Sequence, residues 1–202
     1  VRRAFYILLV ATIVLSLLSL PPLQRLDPAI KTIPEVPERH KVPGYERSNF
    51  GDGWATAPGN ACDTRVTILE SSLFDVHREP SCRLKSGWGV DPYSGNRIGI
   101  GTEEAETIEL DHVFPLAAAW DLGAAQWDEI ARINFANDPL NLVIASKTEN
   151  QAKSDALPAT WLPSKRTNRC WYVNRLIAVA VKYSLPLPRG DVAVMRRQCL
   201  LR

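Results

Sequence analysis

The sequence predicts an α+β fold: a mainly helical, disulfide-stabilised single domain built round a small strand, strand and helix unit. Three observations predict it. Residues 107–113 alternate polar and apolar side chains, as a half-buried strand does. Residues 141–145 are a short apolar run after the turn Asn137-Asp138-Pro139, a second strand. Most other apolar residues lie in alanine-rich or helically spaced segments, and four cysteines form an even set. With 202 residues, 46% of them apolar, the chain buries one sizeable core and leaves little for a second large domain.

Two arginines, Arg2 and Arg3, precede residues 4–20, an uncharged and almost wholly apolar run closed by Pro21-Pro22. This is the layout of a signal peptide or of a short membrane anchor. No clear small-residue cleavage site decides between them. A helix apolar on every face behind two arginines is rare in a small soluble domain. Arg2 and Arg3 stay cytoplasmic by the positive-inside rule, which puts the remainder outside, secreted or membrane-anchored.

Cys62, Cys82, Cys170 and Cys199 suit that oxidising location. Of the three connectivities, Cys62 with Cys82 and Cys170 with Cys199 close the shortest loops. No pair has zinc-knuckle spacing.

Residues 21–44 are rich in proline and charge without apolar periodicity and read as an extended linker or stalk. The domain is then expected over residues 45–202, starting where Tyr45, Phe50 and Trp54 appear among glycines. Val66, Ile68, Leu69 and Leu73 fit a short helix or strand, with helix favoured. Residues 81–100 scatter Gly87, Gly89, Pro92, Gly95 and Gly99 among short apolar pieces, a hairpin pattern. Residues 116–136 predict helices broken at Gly123, and Thr148 is a candidate cap for a helix carrying Asn150 and Lys153. Residues 175–183 predict a closing helix before Pro186 and Pro188. Trp120, Trp127, Trp161 and Trp171 are assigned to packing.

Charge is nearly balanced, at +2, but segregated. Acids dominate from residue 103 to 138 and bases from 147 to 202, a bias that suits a polyanion.

Of three histidines, His40 lies in the linker, His77 in an ordinary charged stretch, and His112 beside Asp111 at a strand end. Phosphodiester hydrolysis needs a base to activate water, a cation to offset charge, and positioning of both. His112 supplies the base. Asp111 and the amide oxygen of Asn150 are hard oxygen ligands that favour Mg2+ or Mn2+ over Zn2+. Asn141 hydrogen-bonds either backbone or the imidazole and serves orientation. Lys153, one helical turn past Asn150, is the candidate phosphate contact.

Asp111-His112-Val113-Phe114-Pro115-Leu116, then Asn141-Leu142, then Asn150-Gln151-Ala152-Lys153-Ser154-Asp155 together resemble the HNH superfamily in its Asp-His, Asn, Asn variant. The D-H-x-x-P opening and N-x-x-K-x-D closing are similar to the HNH domain of RNA-guided CRISPR nucleases. From about residue 45 onward the chain resembles exported HNH proteins of the DUF1524/GmrSD group. The resemblance implies a ββα-metal (HNH) core over about residues 105–156. In it Asp111 and Asn150 bind one divalent ion, His112 activates water and Asn141 steadies the histidine loop. It also implies a product with a 3′ hydroxyl and a 5′ phosphate. Asparagine stands where zinc-type members have their last histidine. The expected function is a monomeric, metal-dependent DNA endonuclease acting outside the cytoplasm. The alternatives are a non-catalytic envelope protein that binds nucleic acid or acidic polymers, and an exported RNA-cutting toxin.

Overall fold

In the computed structural model, which describes residues 2–18, 24–56, 59–101 and 106–199, five strands form the main sheet in the order β2-β3-β4-β5-β6. These are β2 (Phe74–Arg78), β3 (Leu84–Val90), β4 (Arg97–Ile100), β5 (Glu106–His112) and β6 (Leu142–Ser146). Neighbours are antiparallel except β4 and β5, which run parallel. The mixed α and β content and both disulfides agree with the predicted class.

β5 divides the molecule, because successive side chains of a strand point to opposite faces. Ile108 and Leu110, with Leu142 and Ile144 of β6, pack with Ile68 and Leu69 of α2 (Thr64–Ser72). Val143 and Ala145 face the larger core, built on α3 (Leu116–Asp121), α4 (Glu129–Ala136) and α6 (Arg169–Lys182). The expected helix, hairpin and strands therefore stand where the periodicity put them. Asp63 accepts from the Val66 N–H at 2.9 Å and starts α2, so residues 66–72 are helical. Gly123, at φ 138°, breaks the alanine-rich stretch between α3 and α4. The helix α5 (Lys147–Lys153) is capped by Ser146, whose hydroxyl accepts from the Glu149 N–H at 3.2 Å, and not by Thr148 as the sequence suggested. The closing helix α6 begins before residue 175 because Cys170, Val173 and Leu176 already face the core.

The expected linker is the largest correction. From residue 24 on, the segment 21–44 packs against the domain; residues 21–23 lie outside the described residues. Ile30 and Ile33 are buried, one turn apart, behind an Asp27-capped turn. The strand β1 (Glu35–Val36) pairs in parallel with β7 (Leu187–Pro188), which leads into α7 (Arg189–Met195). Arg39 then bridges Asp121 and Asp155, each at 2.7 Å. Proline and charge are abundant here because the strap crosses the surface; the two isoleucines and one arginine fix it.

The apolar segment behind Arg2 forms the helix α1 (Arg2–Leu18), with Phe5 to Val10 exposed. Residues 19 and 20 of the predicted segment lie outside the described residues. Among the described residues no helix is long and apolar enough to cross a membrane.

Cys62 is bonded to Cys82 and Cys170 to Cys199, closing loops of 20 and 29 residues. In the chain-entropy account each contributes about 3 kcal/mol by restricting the unfolded chain. The first fixes the entry to α2 against the β2–β3 turn, and the second ties α6 to the turn that follows α7. Trp120 is buried, and Trp127, Trp161 and Trp171 pack half-buried on the core.

Candidate active site

β5 delivers Asp111 and His112 to opposite faces of the sheet at its last two positions, so two environments meet there. His112 pairs with Leu142 across the ladder and shares a face with Leu110, against the edge of the smaller core. Its Nε2 lies 2.8 Å from the carbonyl oxygen of Ala136, at the end of α4, which makes Nε2 the protonated nitrogen. Nδ1 is left without a protein partner among the described residues. The indole of Trp54 stacks on the ring at 5.7 Å between centroids and an interplanar angle of 10°. Burial holds the imidazole neutral, pushing its pKa from 6.5 down to about 3, and the Arg47 guanidinium and Lys153 ammonium act in the same direction.

Asp111 points the other way, towards α5. Tyr93 donates its hydroxyl to Oδ2 at 2.6 Å, and the Lys153 ammonium lies 2.9 Å from Oδ2 and 3.1 Å from Oδ1. Burial pushes this carboxyl up, opposed chiefly by Lys153 and then by Tyr93. Lys153 is 0% exposed and also donates to the His112 carbonyl at 2.8 Å. The expectation that Lys153 contacts phosphate is therefore corrected. One helical turn does separate it from Asn150, but that face of α5 lies on β5, where no backbone phosphate reaches.

Asn141 is fully buried and braces the loop that follows the histidine. Its Oδ1 accepts from the Phe114 N–H at 2.8 Å and its Nδ2 donates to the Phe114 carbonyl at 3.2 Å. Of the two partners the sequence allowed, it takes backbone; Ala136 holds the ring. Arg175 of α6 in turn grips the carbonyls of Pro139, Leu140 and Leu142 around it.

Asn150 donates Nδ2 to Glu109 Oε2 at 2.7 Å, which leaves its amide oxygen as the free end. Sequence reasoning missed Glu109, although the alternation of β5 places it on the face of Asp111. It also missed Arg47 and Trp54, which stand on a segment anchored by buried Phe50. That segment is tied down by hydrogen bonds from Arg132 to the Asn49 carbonyl, at 2.8 Å, and from the Ala55 N–H to Asn137, at 2.9 Å.

Asp111, His112 and Asn150 line a cleft of about 590 Å3 with Lys41, Tyr45 and Arg47. A second hollow of about 350 Å3, between Arg47, Trp54 and Ala136, meets the first at His112. Among the described residues no group of three or more His, Cys, Asp or Glu side chains is placed to hold a metal. The donor set of this cleft is instead one carboxylate and one amide oxygen. Both oxygens of that carboxylate are engaged, by Lys153 and Tyr93.

The histidine's depressed pKa gives a stability signature in chelator. As pH falls below about 6.5 the unfolded chain binds a proton that the folded chain refuses until about 3, so stability is full above that window and lost across it. Asp111, held up by burial, acts in the opposite sense. Urea unfolding of the wild type against His112→Gln isolates the histidine. Within the window the wild type is expected to lose up to about 1.4 kcal/mol per pH unit relative to the variant. Parallel pH dependences would mean that the ring takes up protons freely in the fold.

The model of the C-terminal domain of GmrSD restriction endonucleases matches residues 81–186. An uncharacterized secreted protein of Arthroderma benhamiae is 34% identical over 154 residues, 75% of this chain and 72% of that protein. No solved structure matches.

Proposed function

The chain belongs to the family of the GmrSD restriction endonuclease C-terminal domain, and we propose that it is a metal-dependent HNH-type endonuclease that hydrolyses DNA outside the cytoplasm. The observation that carries this reading is the state of His112. It is neutral, tied through Nε2 to Ala136, without a protein partner at Nδ1 among the described residues, and it lines one cleft with Asp111 and Asn150.

In this reading β5, β6 and α5 are the ββα-metal core. Asp111 and Asn150 would hold a divalent ion, Mg2+ or Mn2+ rather than Zn2+, which supplies charge to offset the phosphate and the leaving oxygen. Glu109 keeps the amide of Asn150 turned with its oxygen free. His112 takes a proton from water at Nδ1 as the water oxygen attacks phosphorus. The bond to the 3′ oxygen breaks and that oxygen takes a proton from solvent, giving a 3′ hydroxyl and a 5′ phosphate. A phosphate in the cleft raises the imidazole's pKa towards neutrality, since a nearby anion favours its charged form. The location is supported by the two disulfides, by the apolar helix behind Arg2 and Arg3, and by the name of the fungal relative.

The test is cleavage of plasmid and single-stranded DNA by the purified, oxidised chain with Mg2+, Mn2+, Zn2+ or chelator. Cutting is expected with Mg2+ or Mn2+ and none in chelator. A second reading, a non-catalytic nucleic-acid-binding protein, draws on the engagement of both Asp111 oxygens by Lys153 and Tyr93. A folded protein that cleaves neither DNA with any of the three metals decides for it.

A further inference from the structure

We infer that Arg47 is the residue that binds the phosphodiester presented to His112, in the role the sequence assigned to Lys153; this rests on the reading of the cleft as a phosphodiester site. The charges of the cleft single it out. Lys153 is buried and neutralised by Asp111. Lys41 lies 2.6 Å from Asp155 and 3.7 Å from Asp121, so its charge is also answered. Arg47 is exposed and lines both hollows where they meet at His112. It makes no hydrogen bond or ion pair among the described residues, although its charge is felt at the imidazole.

A phosphodiester lodged where the two hollows meet takes charge-assisted hydrogen bonds from the planar guanidinium fork, which no protein acceptor among the described residues occupies. The backbone holds Arg47 ready: Phe50 anchors its turn among Tyr45, Trp120 and Phe135, and the Glu46 N–H donates to Asn49 Oδ1 at 2.6 Å. The residue lies outside the segment matched to the family, residues 81–186, so the turn Arg47–Phe50 ahead of it completes the site.

The test separates binding from cleavage. Fluorescence anisotropy with a short labelled DNA duplex, and with its RNA counterpart, is measured in chelator over a range of salt for wild type, Arg47→Gln and Arg47→Lys. Because Arg47 has no partner among the described residues, both variants are expected to melt with the wild type. Arg47→Gln is expected to weaken binding about tenfold and to reduce the salt slope by about one, while Arg47→Lys keeps the slope and loses part of the affinity. Wild-type affinity and slope in Arg47→Gln overturn the inference, as does a wild type that binds neither duplex. If the Arg47→Gln loss is seen but the wild type fails to cut with any of the metals, the inference stands and the nuclease reading falls.

Discussion

His112→Ala is expected to lower DNA cleavage by about 100-fold to 10,000-fold, the range that general-base catalysis contributes, while affinity for the divalent ion stays near that of the wild type. Activity falls because Nδ1 is the only imidazole nitrogen without a protein partner among the described residues of the cleft, and no second histidine lines it. Metal affinity survives because the proposed ligands are Asp111 and Asn150, and the imidazole, on the other face of β5 from Asp111, is not one of them. The variant also removes a donor from the Ala136 carbonyl and a stacked neighbour from Trp54, at a stability cost of about 1–3 kcal/mol. Steady-state cleavage and calorimetric titration of Mg2+ on the same samples separate the effects. Wild-type turnover in a folded His112→Ala sinks the general-base role, and loss of metal binding with it makes His112 a ligand.

Periodicity made most of the fold legible. Alternation in residues 107–113 gave β5 its direction and its end, and the apolar run after Pro139 gave β6. The strap from residue 24 was not legible, because its burial rests on Ile30 and Ile33 against a distant helix, and two apolar residues in a proline-rich stretch make no pattern. For the same reason the chain reads as starting its domain at Tyr45, although Arg39 already clamps Asp121 and Asp155.

The site was legible where chemistry and strand geometry coincide. Asp111, His112 and Asn150 meet in one cleft, and Asn141 sits behind the histidine loop. Lys153 was misplaced because α5, with Ala152 its only apolar residue, carries no stripe to say which side is buried. Helical spacing gave its side relative to Asn150, and tertiary packing decided what that side faces. Arg47 and Trp54 reach His112 from about sixty positions away, a closeness that no local pattern encodes. Glu109 was open to inference, since a strand that shows Asp111 to a helix shows the residue two before it as well.

Lys153→Met should be the most destabilising single change at the site, by about 3–5 kcal/mol, the cost of leaving one partner of a buried ion pair alone. In a chain of this size about 1 kcal/mol moves Tm by roughly 2–4 °C, so melting should fall by roughly 6–20 °C. The carboxylate of Asp111 would lose its ammonium partner and keep the Tyr93 hydroxyl, and the His112 carbonyl would lose its donor. The double variant Asp111→Asn with Lys153→Met removes the stranded charge and is expected to melt above Lys153→Met alone, because much of the single-variant loss comes from the unpaired carboxylate. A surface lysine that reads phosphate predicts the reverse: unchanged melting, weaker DNA binding and no coupling to Asp111. Thermal unfolding of the wild type, two single variants and double variant decides between these, and it does so without relying on turnover. Melting of Lys153→Met at the wild-type temperature would mean that the pair does not form in solution. Asp111 would then have Oδ1 free to hold an ion, and Lys153 would return as a candidate for the phosphate.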